Sequence, residues 1–174
     1  MPKLNQWHQL IPKILTVSMR SVIIKMSQTT EVKRKESKLE VQTYLDRLKY
    51  AFESGSATVS YQEERKVDQK RNKRFSNRFT MAQLFPDDDA VEALKRELSL
   101  LTVEEYIETV KDTRFPKKSE MRVFGKKYSG DDVYIKIRVE LVSTLASGEN
   151  YVFVMSFHYS EWDFKESDFP YKKV

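Results

Sequence analysis

Between residues 131 and 142 the chain reads DDVYIKIRVELV, with an apolar residue at every second position. Val133, Ile135, Ile137 and Val139 alternate with Tyr134, Lys136 and Arg138. A period of two predicts a strand with one buried face. The opposite face carries a phenol and two cations about 6–7 Å apart. EMRVFGKK (120–127) and YVFVMSFHYS (151–160) also read as strands, and the short linkers YSG and STLASGE join the three. That spacing predicts an antiparallel meander.

Upstream the period becomes helical. In LEVQTYLDRLKYAFESG (39–55), Val41, Leu45, Leu48 and Phe52 share a face, and Gly55 stands where a helix-ending glycine belongs. ATVSY (57–61) predicts a short strand. In FPDDDAVEALKRELSLL (85–101), three aspartates precede Val91, Leu94, Leu98 and Leu101. Acids at that position cap a helix start and favour its dipole, a simpler reading than a metal site. Thr102 and Glu105 have capping-box spacing and predict a short helix over 103–110. The fold class is α+β, with N-terminal helices packed on a C-terminal antiparallel β-meander.

Two segments lack an apolar period. Residues 1–38 read as a basic extension, flexible at least over SQTTEVKRKESK (27–38), ahead of one domain over 39–174. Residues 62–80 read as a basic arm carrying Arg65, Lys66, Lys70, Arg71, Lys73, Arg74 and Arg78, with Tyr61, Phe75 and Phe79 flanking or interleaved.

Parity sets an expected register. If Tyr151, Phe153, Met155 and Phe157 face the core, a loop centred near Ala146 puts Tyr134 opposite His158. A three-residue turn over YSG, with Gly130 left-handed, sends Met121 and Val123 to the core. The second face then gathers Arg122, Phe124, Lys126, Tyr134, Lys136, Arg138, Ser156 and His158, with no acid before Glu140. A solvated sheet face without function normally mixes signs, whereas phosphate binding asks for one sign.

Composition narrows the chemistry. The formal net charge is +5, which suits an anionic partner as well as plain solubility. There is no cysteine, which excludes disulfides and thiolate metal sites and fits a reducing, cytoplasmic setting. Two histidines, His8 and His158, leave no His-based zinc site. No run approaches the roughly 20 apolar residues of a membrane span. Arg20 and Lys25 interrupt the first 26 residues, which read as neither signal peptide nor anchor, and Met26 is an alternative start. A Gly-rich phosphate loop and a nucleophile elbow are both missing, so no cofactor and no metal is expected.

RNA transesterification fits this set. A ribose 2′-OH attacks the adjacent phosphorus, a base takes its proton, and cations stabilise the phosphoryl oxygens. His158, Tyr134 and Lys136 are the candidate catalytic residues, since imidazole titrates near neutrality and a phenol donates a hydrogen bond. Arg122, Lys126 and Arg138 are expected to hold phosphate, and Lys70, Arg71, Lys73 and Arg74 to add RNA affinity from the arm. Phe124 is a candidate for base stacking. Two other readings remain open on the same residues: an RNA-binding protein without catalysis, and a protein-interaction module.

LTVEEY, RVFGKKYSGDDVYIKIRVEL, VMSFHYSE and the terminal FPYK, in that order, resemble the MqsR-like toxins of bacterial toxin–antitoxin systems over about residues 90–174. The resemblance implies a RelE-like ribonuclease fold and metal-independent cleavage of mRNA. It also implies neutralisation by a cognate antitoxin of helix-turn-helix or zinc-ribbon type. Tyr134 of VYIKI matches the family's active-site tyrosine. His158 and Glu108 stand where the family has lysines, and a family glutamine has no counterpart.

Overall fold

The computed structural model describes residues 30–55, 57–140 and 150–173. His8, Met26 and the linker around Ala146 lie outside the described residues. In chain order the elements are β1 (Glu31–Arg34), α1 (Lys38–Glu53), β2 (Ala57–Tyr61), α2 (Asn77–Leu84), α3 (Ala90–Ser99), β3 (Tyr106–Asp112), β4 (Met121–Tyr128), β5 (Asp131–Glu140) and β6 (Asn150–Tyr159). The six strands form one open sheet in the order β1-β3-β4-β5-β6-β2. Among the described residues, β2 runs parallel to its neighbour, β6, and the other pairs are antiparallel. The class is α+β, with the helices N-terminal to the meander. No described helix is long and apolar enough to cross a membrane.

The helices form where the periodicity places them. Ser37 and Glu40 exchange hydrogen bonds in a capping box that opens α1, and Gly55 takes a φ of 68° just past its end. Asp89 accepts from the amides of Val91 and Glu92 and caps α3. Val41, Leu45 and Leu48 of α1 and Leu94 and Leu98 of α3 pack on Val133, Ile135 and Ile137 of β5. Each fully buried aliphatic contributes about 1.5–3 kcal/mol before entropy is counted.

Four expectations are corrected. The supposed flexible lead-in contains β1, which pairs with β3 from Glu31↔Asp112 to Arg34↔Thr109. The helix expected over 103–110 is one 3-10 turn, Val103–Glu105, followed by β3. The capping contact from the Thr102 amide to Glu105 is made at 2.8 Å. The β-branched and aromatic residues of YIETV are drawn into the sheet between β1 and β4, where Tyr106 is fully buried.

The third correction concerns the first hairpin. Tyr128 pairs with Asp131 across a two-residue turn in which Ser129 and Gly130 both have positive φ, 51° and 95°. A primed turn matches strand twist, and its even length reverses the expected parity of β4. Phe124 therefore enters the helix-side core, stacked on Tyr44 and edge-on to Tyr106, and is unavailable for base stacking. Val123 and Met121 go to the opposite face.

The fourth lies in β6. Tyr134 does pair with His158, and Lys136 with Ser156. The register then shifts, so that Ile137 pairs with Val154 and Met155 is the extra residue. Beyond this bulge Val152 and Val154 face the core, while Phe153 and Met155 join Val110, Met121 and Val123 in a second apolar cluster. Asn77 of α2 clamps the bulge. Its amide donates to the carbonyls of Gln62 and Met155, and its oxygen accepts from the Phe157 amide. Thr80 accepts from the Tyr159 amide one helical turn on. The arm is thus no free loop, because its end covers the β6 edge that β2 leaves unpaired.

Candidate functional site

The face away from α1 and α3 is less exposed and less cationic than the sequence suggested. Lys136 is buried and paired to Glu31 at 2.6 Å. Arg138 lies over the Phe153 ring at 5.0 Å and pairs with Glu140 at 3.0 Å. Glu108, where the resembling family has a lysine, pairs with Lys33 at 2.7 Å. The neutralising acids come from β1, β3 and the end of β5. Two of those elements were the ones the sequence disguised.

The reversed hairpin parity also removes two expected phosphate ligands. Arg122 is on the helix side, where it chelates the buried Glu36 carboxylate at 2.7 and 3.1 Å and covers the Tyr44 ring. Lys126 is there as well, 3.7 Å from Glu97. Neither shares a face with Tyr134.

What the structure brings together is a smaller group. The rings of Tyr134 and His158 stack at 5.5 Å with 24° between planes. His158 Nδ1 lies 2.8 Å from the Tyr159 carbonyl oxygen, which only accepts. The proton must therefore sit on Nδ1, leaving a lone pair on Nε2. That nitrogen faces Arg71 Nη1 at 3.5 Å. Arg71 comes from the arm, held by Glu161 at 2.5 Å and Asp68 at 3.7 Å. Arg65, also from the arm, donates to Ser156 Oγ at 2.8 Å. Arg74 covers the Tyr159 ring at 5.0 Å and pairs with Asp131. Lys70 and Lys73 are exposed, and no ion pair is seen for either among the described residues.

Burial sets the protonation states. It holds the His158 imidazole below the ordinary histidine range, and Arg71 and Arg65 push the same way. Burial also raises the Tyr134 phenol, as do Glu31 and Glu108, against a smaller pull from Arg65 and Arg71. Tyr134 is thus a firm proton holder, suited to donate a hydrogen bond rather than to release its proton. His158 is held neutral, with its lone pair on Nε2.

This yields a stability prediction. A depressed folded pKa means the unfolded chain binds the proton first as pH falls. His158 then contributes stability that is present above the ordinary histidine range and lost as pH drops through the folded value. Thermal melts from about pH 7.5 to pH 5 should show the wild type losing more stability than His158→Gln. Parallel curves would contradict the burial assignment.

In the sequence Arg65 is one arm cation among seven, and nothing in the local pattern marks Trp162. Trp162 packs edge-on against Tyr134 at 5.7 Å. A basic residue in an arm gives no signal of which strand it folds onto. Among the described residues, no group of three or more His, Asp or Glu side chains is placed to hold a metal ion. The chain finds no match among protein-family models, curated proteins or solved structures.

Proposed function

We propose that this protein cleaves RNA by transesterification at the His158–Tyr134–Arg71 group. The observation that carries the reading is the neutral imidazole of His158, its tautomer fixed by the Tyr159 carbonyl and its second nitrogen facing a guanidinium. In the reaction the 2′-oxygen bonds to phosphorus and the bond to the 5′-oxygen breaks. His158 Nε2 takes the 2′-OH proton, and the departing oxygen takes one from solvent. Arg71 and Arg65 hold the non-bridging oxygens, and the protonated Tyr134 donates a hydrogen bond to the developing charge.

Access follows from exchange at one pair. Arg71 and Glu161 have side chains 20% and 39% exposed, so the pair can be reached from solvent. A phosphate that replaces the Glu161 carboxylate keeps the Arg71 guanidinium paired with an anion. One observation favours the second reading, RNA binding without cleavage: His158 is only 4% exposed, beneath Arg71.

The wider role we propose is that of an MqsR-like toxin on a RelE-like scaffold, acting on mRNA in the cytoplasm and restrained by an antitoxin. That role is supported by the resemblance over residues 90–174 and by the reaction class alone. Incubation with RNA in EDTA should yield 2′,3′-cyclic phosphate ends. RNA that stays intact while bound would leave the non-catalytic reading.

A further inference from the structure

The chain after β6 turns back over the sheet and is tied down at once. The Ser160 amide donates to the Asp132 carbonyl at 2.7 Å, and the Phe164 amide to the Asp132 carboxylate at 2.8 Å. Between them the Trp162 amide donates to Ser160 Oγ at 3.3 Å. Phe164 lies flush on Gly125, so close that a Cβ there would sit 2.5 Å from its ring. Phe169 packs edge-on against the same ring. Phe164 therefore does the covering. Trp162, held against Tyr134 and Phe164, keeps 54% of its surface exposed.

A lone exposed aromatic is ordinary on a protein surface. This one differs in its neighbours. Its ring continues the run from His158 through Tyr134, and Glu161, next to it in the chain, holds Arg71. A half-open aromatic face on a surface that also carries cations is how proteins bind single-stranded nucleic acid: bases stack on the ring and cations follow the backbone.

We infer that Trp162 is the stacking platform for a nucleobase next to the cleaved phosphate, so that the substrate is unpaired RNA. The inference rests on the ribonuclease reading for its neighbouring phosphate. Stacking uses the π-face common to all bases, so Trp162 supplies affinity and strand selectivity rather than base identity. A duplex has its bases already stacked and offers none to the indole.

The chain has two tryptophans, Trp7 and Trp162, so Trp7→Phe leaves Trp162 as the sole indole reporter. The probe is a single-stranded 2′-O-methyl RNA decamer, which binds but lacks the attacking hydroxyl. Its titration should quench Trp162 emission, and the matching duplex should not. By anisotropy, Trp162→Ala should weaken decamer binding about 5- to 150-fold, with the slope against salt unchanged. Trp162→Phe, which keeps a ring and the fold, should stay within a few-fold of wild type.

Decamer binding without a change in Trp162 emission, or with wild-type affinity in Trp162→Ala, overturns the inference and leaves the ribonuclease reading standing. Absence of decamer binding by the wild type at low salt overturns both. Should Trp162→Ala fail to fold, emission and the phenylalanine variant decide.

Discussion

Replacing Asn77 by alanine is expected to lower the unfolding free energy by about 3–5 kcal/mol. Asn77 is fully buried, and its amide is engaged by three backbone groups from two segments of the chain. It donates to Gln62, just past β2, and to Met155 in the β6 bulge, and it accepts from Phe157 beyond it. Alanine leaves the buried Phe157 amide without a partner, at about 1–3 kcal/mol, and takes a hydrogen bond of about 0.5–1.5 kcal/mol from each of two part-buried carbonyls. The groups sit where the ladder is already broken, so no neighbouring strand can replace the lost bonds. Asn77→Asp separates the contributions. It keeps the acceptor for Phe157 but turns a carboxylate oxygen toward two carbonyls, so it should cost at least as much as alanine. Urea unfolding with an unchanged m-value measures both. A cost below 1 kcal/mol for alanine would mean the bulge holds without its clamp.

The same clamp shows why the sequence revealed the strands better than their faces. The alternation in DDVYIKIRVELV and the helical spacing in LEVQTYLDRLKYAF are local, and the elements they imply are present. The Tyr134–His158 pairing was also legible, because parity between two strands survives until a bulge intervenes. What broke the rest was a single residue at each of two sites. A two-residue turn in place of three moved Phe124 into the core and carried Arg122 and Lys126 with it. The extra Met155 reversed β6, whose alternation of large and small apolar residues gives no sign of a bulge. The row of cations misled for a different reason. Glu31 and Glu108, the partners of Lys136 and Lys33, are far away in sequence, in segments whose own pattern was ambiguous. Charge on a strand can be read from the sequence, but its neutralisation depends on the sheet order. Arg71 and Arg65 were visible as basic arm residues, yet their places against His158 and Ser156 follow from α2 docking on β6.

The central claim is that His158 is the base of an RNA-cleaving site, and it carries the second large effect. A positioned general base is worth about 10²–10⁴ in rate. Here its tautomer is fixed and burial keeps it neutral near pH 7. Alanine at 158 removes the proton acceptor while leaving Arg71, Arg65 and Tyr134 to bind phosphate. Substrate affinity should therefore change far less than rate. The decisive measurement is the single-turnover cleavage rate of one unpaired RNA in EDTA, for wild type and His158→Ala, with binding followed in parallel. The account predicts wild-type cleavage whose rate rises with pH until His158 is fully deprotonated, and a variant slower by about 10²–10⁴ at near-normal affinity. A variant that cleaves as fast as wild type would contradict it.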